Sequence, residues 1–383
     1  MTLVTGTWLT APATQKVLGL LTAAGHRALA VGGCVRNALL DAAITDVDIS
    51  TSAHPDEVTK LAESAGLKAI PTGIDHGTVT VVCQGKAFEI TTFRKDVETD
   101  GRRAVVAFSD DIRDDAMRRD FTLNALFCEA DGTLVDPLGG LPDLLARRIV
   151  FVGDPGARIR EDYLRILRFF RFYAWYGDTS GGIDADGLAA CAELADGIDG
   201  LSRERAGAEL LKLLGAPDPA PALASMEASG ILWRILPGAS SAVVTRLVHF
   251  EGQSGHAPDP LRRLAALGGQ ITPEDLRLSK QQARRFETLR DVAVASETAE
   301  VIGYRHGAEM GEDTVLLRSA LFESPLDPSD LAAARRGANA QFPIKAADLT
   351  PAFEGKALGD ELKRLEAKWI ASGFQLTARD LLP

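Results

Sequence analysis

A glycine pair between an apolar run and a short helix constrains the fold more than any other feature of this sequence. Arg27–Val31 is short and apolar, which is typical of a β-strand, and Cys34–Leu40 predicts a helix. Between them, Gly32 and Gly33 would let a triphosphate approach the backbone, beside the free N–H groups of the first helical turn. Arg36 lies in that turn, where its planar fork could grip phosphate oxygens.

Two aspartates follow in a second predicted strand, Asp46–Ser50. Because side chains alternate along a strand, Asp46 and Asp48 would share one face, about 7 Å apart. That spacing suits a pair of bridged Mg²⁺ ions, and no neighbouring His or Cys favours zinc. An isolated Asp-x-Asp is more often two surface aspartates on an edge strand. The Gly-Gly-x-x-Arg turn just upstream favours the metal interpretation.

Size and composition are those of a globular protein with several domains. The 383 residues allow two to four domains, and the chain is 46% hydrophobic and 25% charged. No apolar run reaches the length of a membrane span, and the N-terminus lacks the pattern of a signal peptide, so we expect no membrane contact and a cytoplasmic location. The cysteines are far apart and predict neither a zinc site nor a disulfide framework: Cys34, Cys83, Cys128 and Cys191.

The net charge of −11 argues, taken alone, against a nucleic-acid partner. The distribution of charge is more informative. Between residues 147 and 171 there are seven arginines against three acidic residues. A local basic face on an acidic protein is compatible with a polyanionic substrate that must also be released.

Hydrophobic periodicity predicts a mixed α/β unit over about the first 130 residues. Helices are predicted at Thr14–Ala24 and Pro55–Ala65, and alternating strands at Thr78–Cys83 and Ala87–Phe93 predict a hairpin. The polar stretch from 94 to 109 predicts a mobile loop leading into residues 104–108, or a plain solvated loop.

The sequence Arg118-Arg119-Asp120 precedes a β-like run that contains Asn124. If this run joins the same sheet, its arginines would lie beside the two aspartates, and a triphosphate needs both signs of charge. A salt-bridged helix end explains the same residues equally well.

A strong helix is predicted from Arg160 to Tyr176. Its polar positions recur every three to four residues and would share one face: Asp162, Arg165, Arg168 and Arg171. An Arg and an Asp one turn apart offer the donors and acceptors that pair with the edge of a base, so the protein could use them as a template. An internally salt-bridged surface helix is the alternative. Nearly everything beyond residue 183 is predicted helical, ending in a helix from Gly359 to Ala371.

Five motifs in this order and spacing make the chain resemble the class II tRNA nucleotidyltransferases, the CCA-adding enzymes of the DNA polymerase β-like superfamily. They are Gly32-Gly33-Cys34-Val35-Arg36 with Asp46-Val47-Asp48; Arg118 to Asn124; Asp136 to Gly140; Glu161 to Arg165; and Glu204 to Glu209. The resemblance extends over nearly the whole chain and is densest in the first 215 residues.

The resemblance implies an α+β fold: a nucleotidyltransferase head, with a polymerase β-like palm of mixed β-sheet and helices, followed by an all-α neck, body and tail. The expected borders are 1–146 for the catalytic head, 147–214 for the neck with its base-templating helix, 215–300 for the body and 301–383 for the tail.

The resemblance also implies roles for individual residues. Asp46 and Asp48 would be catalytic and hold two Mg²⁺ ions. The triphosphate would be bound by Gly32, Gly33, Arg36 and Arg119. The base and ribose would be contacted by Asp120, Asn124, Asp162, Arg165, Arg168 and Arg171. Structural support would come from Glu204, Arg205 and Glu209. The stretch from 94 to 109 would be the flexible loop needed to add A.

Two positions depart from the family pattern. Asn37 stands where the family usually has Asp, which would replace a salt bridge to an arginine by a hydrogen bond, and Tyr163 replaces a common Pro.

The implied activity is addition of C, C and A to the tRNA 3′ end from CTP and ATP, with the tRNA acceptor arm as partner and no obligate protein partner. A bacterial poly(A) polymerase or a CC- or A-only adding relative shares the motifs. A non-catalytic RNA-binding module is the alternative of another class.

Overall fold

The computed structural model describes residues 2–100, 103–350 and 352–382, and it divides into two compact units, Met1–Ile235 and Leu236–Pro383. The predicted α+β class is confirmed, with the described strands in unit 1 and unit 2 helical. The finer borders between head, neck, body and tail stay a prediction. No helix in the described part of the chain combines the length and apolarity that a membrane span requires.

The centre of unit 1 is a mixed sheet. Its described strands are β1 Ala28–Val31, β2 Asp48–Thr51, β3 Lys68–Gly73, β4 Thr78–Cys83, β5 Lys86–Thr92, β8 Phe127–Cys128 and β9 Leu134–Val135. They lie in the order β3-β4-β5-β2-β1-β8-β9, and β2 pairs with β5 in parallel whereas the other neighbours are antiparallel. The predicted hairpin is present, with Gln84 and Gly85 as its two turn residues.

The stretch predicted as a loop from 94 to 109 forms a two-stranded ribbon instead. Strand β6, Arg94–Asp100, pairs antiparallel with β7, Arg103–Phe108. The prediction of a loop leading into residues 104–108 was wrong for β6, because ladder hydrogen bonds come from the backbone and a polar sequence can supply them. Gly101 and Arg102, at the tip of the predicted loop, lie outside the described residues.

The helices between residues 12 and 64 pack on this sheet, whereas those after residue 155 pack mainly on one another. The helices of unit 1 are α1 Thr7–Thr10, α2 Pro12–Ala23, α3 Gly33–Leu39, α4 Pro55–Ser64, α5 Ile112–Met117, α6 Leu141–Leu145, α7 Pro155–Glu161, α8 Leu164–Tyr176, α9 Ala185–Glu193, α10 Arg203–Leu214, α11 Ala220–Ala228 and α12 Ile231–Ile235. The β-like run after Asp120 was also predicted wrongly: residues Thr122–Asn124 form a 3₁₀ turn, and the strand begins only at Phe127.

The helix predicted from Arg160 to Tyr176 is broken in two. Asp162 has extended backbone (φ −156°, ψ 106°) and separates α7 from α8. Its side chain accepts a hydrogen bond from the backbone N–H of Leu164, and this local bond competes with a continuous helix. Asp162 is therefore not on the helical face that carries Arg165, Arg168 and Arg171. Helix α8 buries Phe169 and Phe172 close to Phe121, which fastens it to the segment before β8.

Unit 2 contains the helices α13 Ser241–Ser254, α14 Pro260–Leu267, α15 Lys280–Val294, α16 Ala299–His306, α17 Ala308–Leu321, α18 Pro328–Asn339, α19 Gly355–Ala371 and α20 Ala378–Leu381. The last long helix begins four residues before the predicted start at Gly359. In the core of this unit, Glu251 accepts hydrogen bonds from Arg262 and Arg263, and all three are almost fully buried.

Helices α16 and α18 approach so closely that only glycine fits at their contact. A Cβ atom on Gly337 would collide with the carbonyl oxygen of Glu300, and one on Gly303 with that of Ala334. Backbone atoms cannot move aside as a flexible side chain can, so added volume at this contact forces the helices apart.

We expect Gly337→Ala to destabilise the protein by about 1–3 kcal/mol through overpacking. Gly359→Ala is the matched control, because a Cβ on this helical glycine meets nothing within 4 Å, and it should stabilise by about 0.5–1 kcal/mol. Urea unfolding followed by circular dichroism measures both. Equal unfolding free energies for the two variants would contradict the close packing.

Candidate active site

The glycine turn joins β1 to α3, and one arginine side chain lies close to each of its two glycines. Gly32 has φ +69°, a left-handed backbone that favours glycine. A Cβ on Gly32 would lie 3.4 Å from Nη1 of Arg119, and one on Gly33 would lie 3.7 Å from Nη2 of Arg36. The structure thus brings together all four residues that were predicted to bind the triphosphate.

Three carboxylates lie beside the glycine turn, on or just before the adjoining strands β2 and β5. Asp48 is the first residue of β2, whereas Asp46 lies just before the strand, and both are exposed. Glu89 on β5 is the register partner of Asp48, a neighbour that the sequence alone did not reveal. Although Asp48 is exposed as a residue, the protein atoms around its carboxylate desolvate it in part. This desolvation, then the charges of Glu89 and Asp46, raise the pKa of Asp48 above its ordinary value, and Arg119 opposes them.

These carboxylates suit a hard divalent cation. The described residues hold no ready-formed cluster of three or more metal-ligating side chains. Mg²⁺, however, usually takes only one or two carboxylates and completes its shell with water and substrate phosphates. The mutual repulsion of Asp46, Asp48 and Glu89 is what a bound cation would relieve.

Arg119 is held by a buried carboxylate that sequence reasoning missed. Asp115 on α5 has a fully buried side chain and accepts hydrogen bonds from Arg118 at 2.8 Å, Arg119 at 2.9 Å and Ser50 at 3.1 Å. An acid placed three and four residues before two arginines on a helix can pair with both, and this spacing was the sequence signal for the role of Asp115. Nε of Arg119 is buried without a hydrogen-bond partner among the described residues, so an oxygen atom of a bound anion could accept a hydrogen bond from it.

Arg36 is buried among neutral groups. Its Nε and Nη2 donate to Oδ1 of Asn37 at 3.1 and 3.0 Å, its Nη1 donates to Asn124 at 2.5 Å, and its Nη2 also donates to the hydroxyl of Tyr176 at 2.9 Å. The Tyr176 ring lies 4.1 Å from the guanidinium carbon. Burial lowers the pKa of Arg36, and nearby Arg171 lowers it further, against Tyr176 and Asp120.

Asp120 connects this turn to helix α8. Its carboxylate accepts hydrogen bonds from Arg168 at 2.8 and 2.5 Å and from Asn124 at 2.9 Å. Burial alone would raise the pKa of Asp120, but Arg168 and Asn124 hold it below its ordinary value. Since Asn124 also accepts from Arg36, one chain of hydrogen bonds runs from α8 to the glycine turn.

The two residues predicted to read the base are each bound by another neighbour. Asp162 accepts a hydrogen bond from Arg205 at 2.6 Å, whereas Arg165 donates to Glu161 at 2.5 Å and to the backbone oxygen of Arg118 at 3.1 Å. Asp162 and Arg205 line a cavity of about 440 Å³ with Tyr163. Asp162 and Arg165 both have polar atoms of the kind that pair with a base, but the two side chains do not form a hydrogen bond with each other.

The three residues predicted to give structural support, Glu204, Arg205 and Glu209, differ in what their side chains contact. Arg205 holds Asp162, and the buried Glu209 accepts a hydrogen bond from Arg171 at 2.5 Å and lies 4.0 Å from Arg168. Glu204 is exposed in the first turn of α10, with no polar side-chain contact to the rest of the described chain.

The chain is similar to known proteins over nearly its whole length. A family model described as the poly A polymerase head domain matches residues 28–150, and another, described as the probable RNA and SrmB-binding site of polymerase A, matches 182–243. The mitochondrial CCA tRNA nucleotidyltransferase 1 of Mus musculus is 33% identical over 96% of this chain and 88% of its own length. The CCA-adding enzyme of Levilactobacillus brevis is 42% identical over 58% of this chain and 55% of its own.

A solved structure of similar form is that of the Bacillus stearothermophilus CCA-adding enzyme in complex with CTP. It is 28% identical in sequence and superimposes with a TM-score of 0.76 over 94% of this chain and 93% of its own.

Removing the carboxylate of Asp115 should destabilise the site. Asp115→Asn leaves two arginines without their buried counter-charge, and we expect a loss of about 3–5 kcal/mol in the free energy of unfolding. Burial raises the pKa of Asp115, but Arg119 and Arg118 outweigh burial and hold it below its ordinary value. The stabilisation is therefore present above the unfolded pKa of about 4 and is lost as the pH falls through the folded one.

Urea unfolding at pH 7 and at lower pH measures this loss. Asp110→Asn, at an exposed position five residues away, is the matched control and should change stability by less than about 0.5 kcal/mol. A loss no larger for Asp115→Asn than for this control would show that Asp115 does not anchor Arg119.

Proposed function

The chain belongs to the CCA-adding tRNA nucleotidyltransferases, and we propose that it adds C, C and A to the 3′ end of tRNA from CTP and ATP without a nucleic-acid template. The observation that carries this proposal is that a group of carboxylates lies next to a pair of arginines. Exposed carboxylates lie at strands β2 and β5, and two arginines flank the glycine turn beside them. An incoming nucleotide needs groups of both charges. Its negative phosphates need cationic partners, and the metal bound to them needs oxygen ligands.

Asp46 and Asp48 are the residues that would hold Mg²⁺, two ions in our proposal, with Glu89 adding negative charge beside Asp48. When bound, the metal would activate the attacking hydroxyl and stabilise the leaving pyrophosphate. The reaction is an in-line attack of the tRNA 3′-hydroxyl oxygen on the α-phosphorus, which forms the new phosphodiester bond and breaks the bond to pyrophosphate.

Arg119 and Arg36 would orient the triphosphate over Gly32 and Gly33. Arg119 contributes a buried Nε that lacks an acceptor, and Asp115 keeps its guanidinium in place before the nucleotide arrives. Preorganised donors of this kind stabilise developing charge without reorganisation during the reaction.

Base selection would come from Asp162 and Arg165, with Arg168 and Arg171 on the same side of α8. To meet a base, Asp162 would exchange its bond with Arg205, and Arg165 its bond with Glu161. A wrong base would leave one of these polar groups without a partner, which costs about 1–3 kcal/mol. Asp120 and Asn124 would act on the nucleotide indirectly, by holding Arg168 and Arg36 in position.

The tRNA acceptor arm would be held through its shape and backbone, as is usual for double-stranded RNA. We infer no obligate protein partner. A cytoplasmic location stays a prediction, and the vertebrate relatives carry the word mitochondrial in their names.

Incorporation on three tRNA transcripts tests the proposed function. The transcripts end before CCA, after C and after CC, and each receives a single labelled nucleotide with Mg²⁺. We expect C, then C, then one A followed by a halt. A long run of A would indicate a poly(A) polymerase, addition of C alone or A alone a split-activity relative, and no incorporation a non-catalytic RNA-binding module.

Asp48→Asn should reduce incorporation by at least about a thousandfold, because it removes a metal-binding charge while leaving the shape of the side chain unchanged. Binding of tRNA, measured by filter retention, should persist, because a carboxylate does not attract the negatively charged RNA backbone. Glu89→Gln should have a smaller effect. Residual turnover above a few per cent in Asp48→Asn would contradict the metal assignment.

Asp162→Asn should relax the choice of base. We expect discrimination between CTP and UTP, measured as the ratio of kcat/KM values, to fall by about 5- to 150-fold, the equivalent of one unsatisfied polar group. Arg203→Gln, on the exposed part of α10, is the control and should leave the ratio unchanged. An unchanged ratio in Asp162→Asn would assign base reading to other residues.

A further inference from the structure

The break between α7 and α8 is held by two contacts of different kinds. Asp162, at the break, has extended backbone, and its carboxylate accepts a hydrogen bond from Arg205 of α10. The next residue, Tyr163, is the N-cap of α8 and packs its aromatic ring against Gly197. In the proposed function Asp162 exchanges the first contact for a base, whereas the second contact can persist while the base is bound.

No side chain fits between Tyr163 and Gly197. A Cβ atom on Gly197 would overlap three atoms of the Tyr163 ring, Cγ, Cδ1 and Cε1. The backbone of Gly197 is not left-handed, so the ring, and not the backbone conformation, requires a glycine here. Because Cγ is the ring atom next to the backbone, the ring cannot make room by a small shift of its outer end.

The surface against which the ring packs is itself held in place. Gly197 belongs to a 3₁₀ segment, Ala195–Gly200, that contributes two buried side chains to the core. Arg234 of α12 forms ion pairs with Asp196 and Asp199, which lie on either side of Gly197 in the sequence. The segment therefore gives the Tyr163 ring a fixed neighbour.

The ring also lies close to the group that it would position. Tyr163, Asp162 and Arg205 line the same cavity of about 440 Å³. A ring displaced from Gly197 would either enter this cavity or carry along the backbone to which Asp162 belongs. Either movement changes the surroundings of the Asp162 carboxylate.

We propose that Tyr163 and Gly197 are positioning residues that hold the Asp162 carboxylate in place for the base of the incoming nucleotide. The proposal rests on the proposed function in taking Asp162 as a residue that reads the base. A misplaced acceptor pairs less well with the correct base and no longer penalises the wrong one, so the loss falls on discrimination. The packing surface of the ring, and not its hydroxyl group, has this role.

The ratio of kcat/KM for CTP to that for UTP, measured on the full chain with Mg²⁺ and tRNA ending before CCA, tests the proposal. Gly197→Ala should lower this ratio by at least about fivefold, toward the loss in Asp162→Asn, because the ring is displaced. Tyr163→Ala should lower it to a similar extent. In that background Gly197→Ala should have no further effect, since no ring is left to displace.

Two controls separate positioning from general destabilisation. Tyr163→Phe keeps the ring and removes only the hydroxyl, so it should retain the wild-type ratio. Gly337→Ala places a Cβ against the backbone of unit 2 and should lower the midpoint of urea unfolding without changing the ratio.

A merely structural role predicts that Gly197→Ala lowers kcat/KM for both nucleotides by the same factor, and an unchanged ratio would overturn the proposal. A further loss on adding Gly197→Ala to Tyr163→Ala would also overturn it, as would a loss in Tyr163→Phe as large as that in Tyr163→Ala. If Gly197→Ala does not fold, judged by circular dichroism, the comparison of Tyr163→Ala with Tyr163→Phe decides the question.

Failure of the proposed function has a different signature. A wild-type chain that adds no C to tRNA would contradict CCA addition, and the same variants are then compared by the ratio of Kd values for CTP and UTP, measured by calorimetry. An unchanged ratio in Asp162→Asn overturns the base-reading role and this inference together. A ratio that falls in Asp162→Asn but not in Gly197→Ala overturns this inference alone.

Discussion

Asp120 carries a carboxylate that is 8% exposed and accepts hydrogen bonds from two directions. Arg168 reaches it from helix α8, and Asn124 reaches it from the 3₁₀ turn that leads into the sheet. A buried carboxylate without these partners would be strongly destabilising, so the helix and the turn must come together around it. The positions of Arg36 and of the glycine turn depend on this contact, because Asn124 also accepts a hydrogen bond from Arg36.

Charge is distributed unevenly around that contact. Arg36, Arg168 and Arg171 are opposed by two carboxylates, those of Asp120 and Glu209. At strands β2 and β5 the surplus is negative, from Asp46, Asp48 and Glu89. The two surpluses adjoin at the glycine turn, where the charge of Arg119 opposes, without cancelling, the rise in the pKa of Asp48. A metal-bound triphosphate complements both, which explains how a chain with a net charge of −11 can attract a polyanion locally.

The local elements of the site were predictable from sequence, and the long-range ones were not. The glycine turn and the aspartate pair are encoded within about 20 residues and could be recognised from spacing alone. Glu89 became visible only through the parallel pairing of β2 with β5, which joins residues about 40 positions apart. The spacing of Asp115 to Arg118 and Arg119 signals an ion pair but not its burial, which follows from packing of α5 on the sheet. The break at Asp162 was missed because the apolar period runs through it, while a side-chain bond to the backbone of Leu164 ends the helix.

We expect the triphosphate to bind where the two surpluses of charge meet. A crystal structure of the chain with Mg²⁺ and a non-hydrolysable CTP analogue tests it most directly. We expect the β- and γ-phosphates over Gly32 and Gly33 within hydrogen-bond distance of Arg36 and Arg119, and metal between the phosphates and Asp48. A triphosphate bound elsewhere in unit 1, with Nε of Arg119 still lacking an acceptor, would contradict the account.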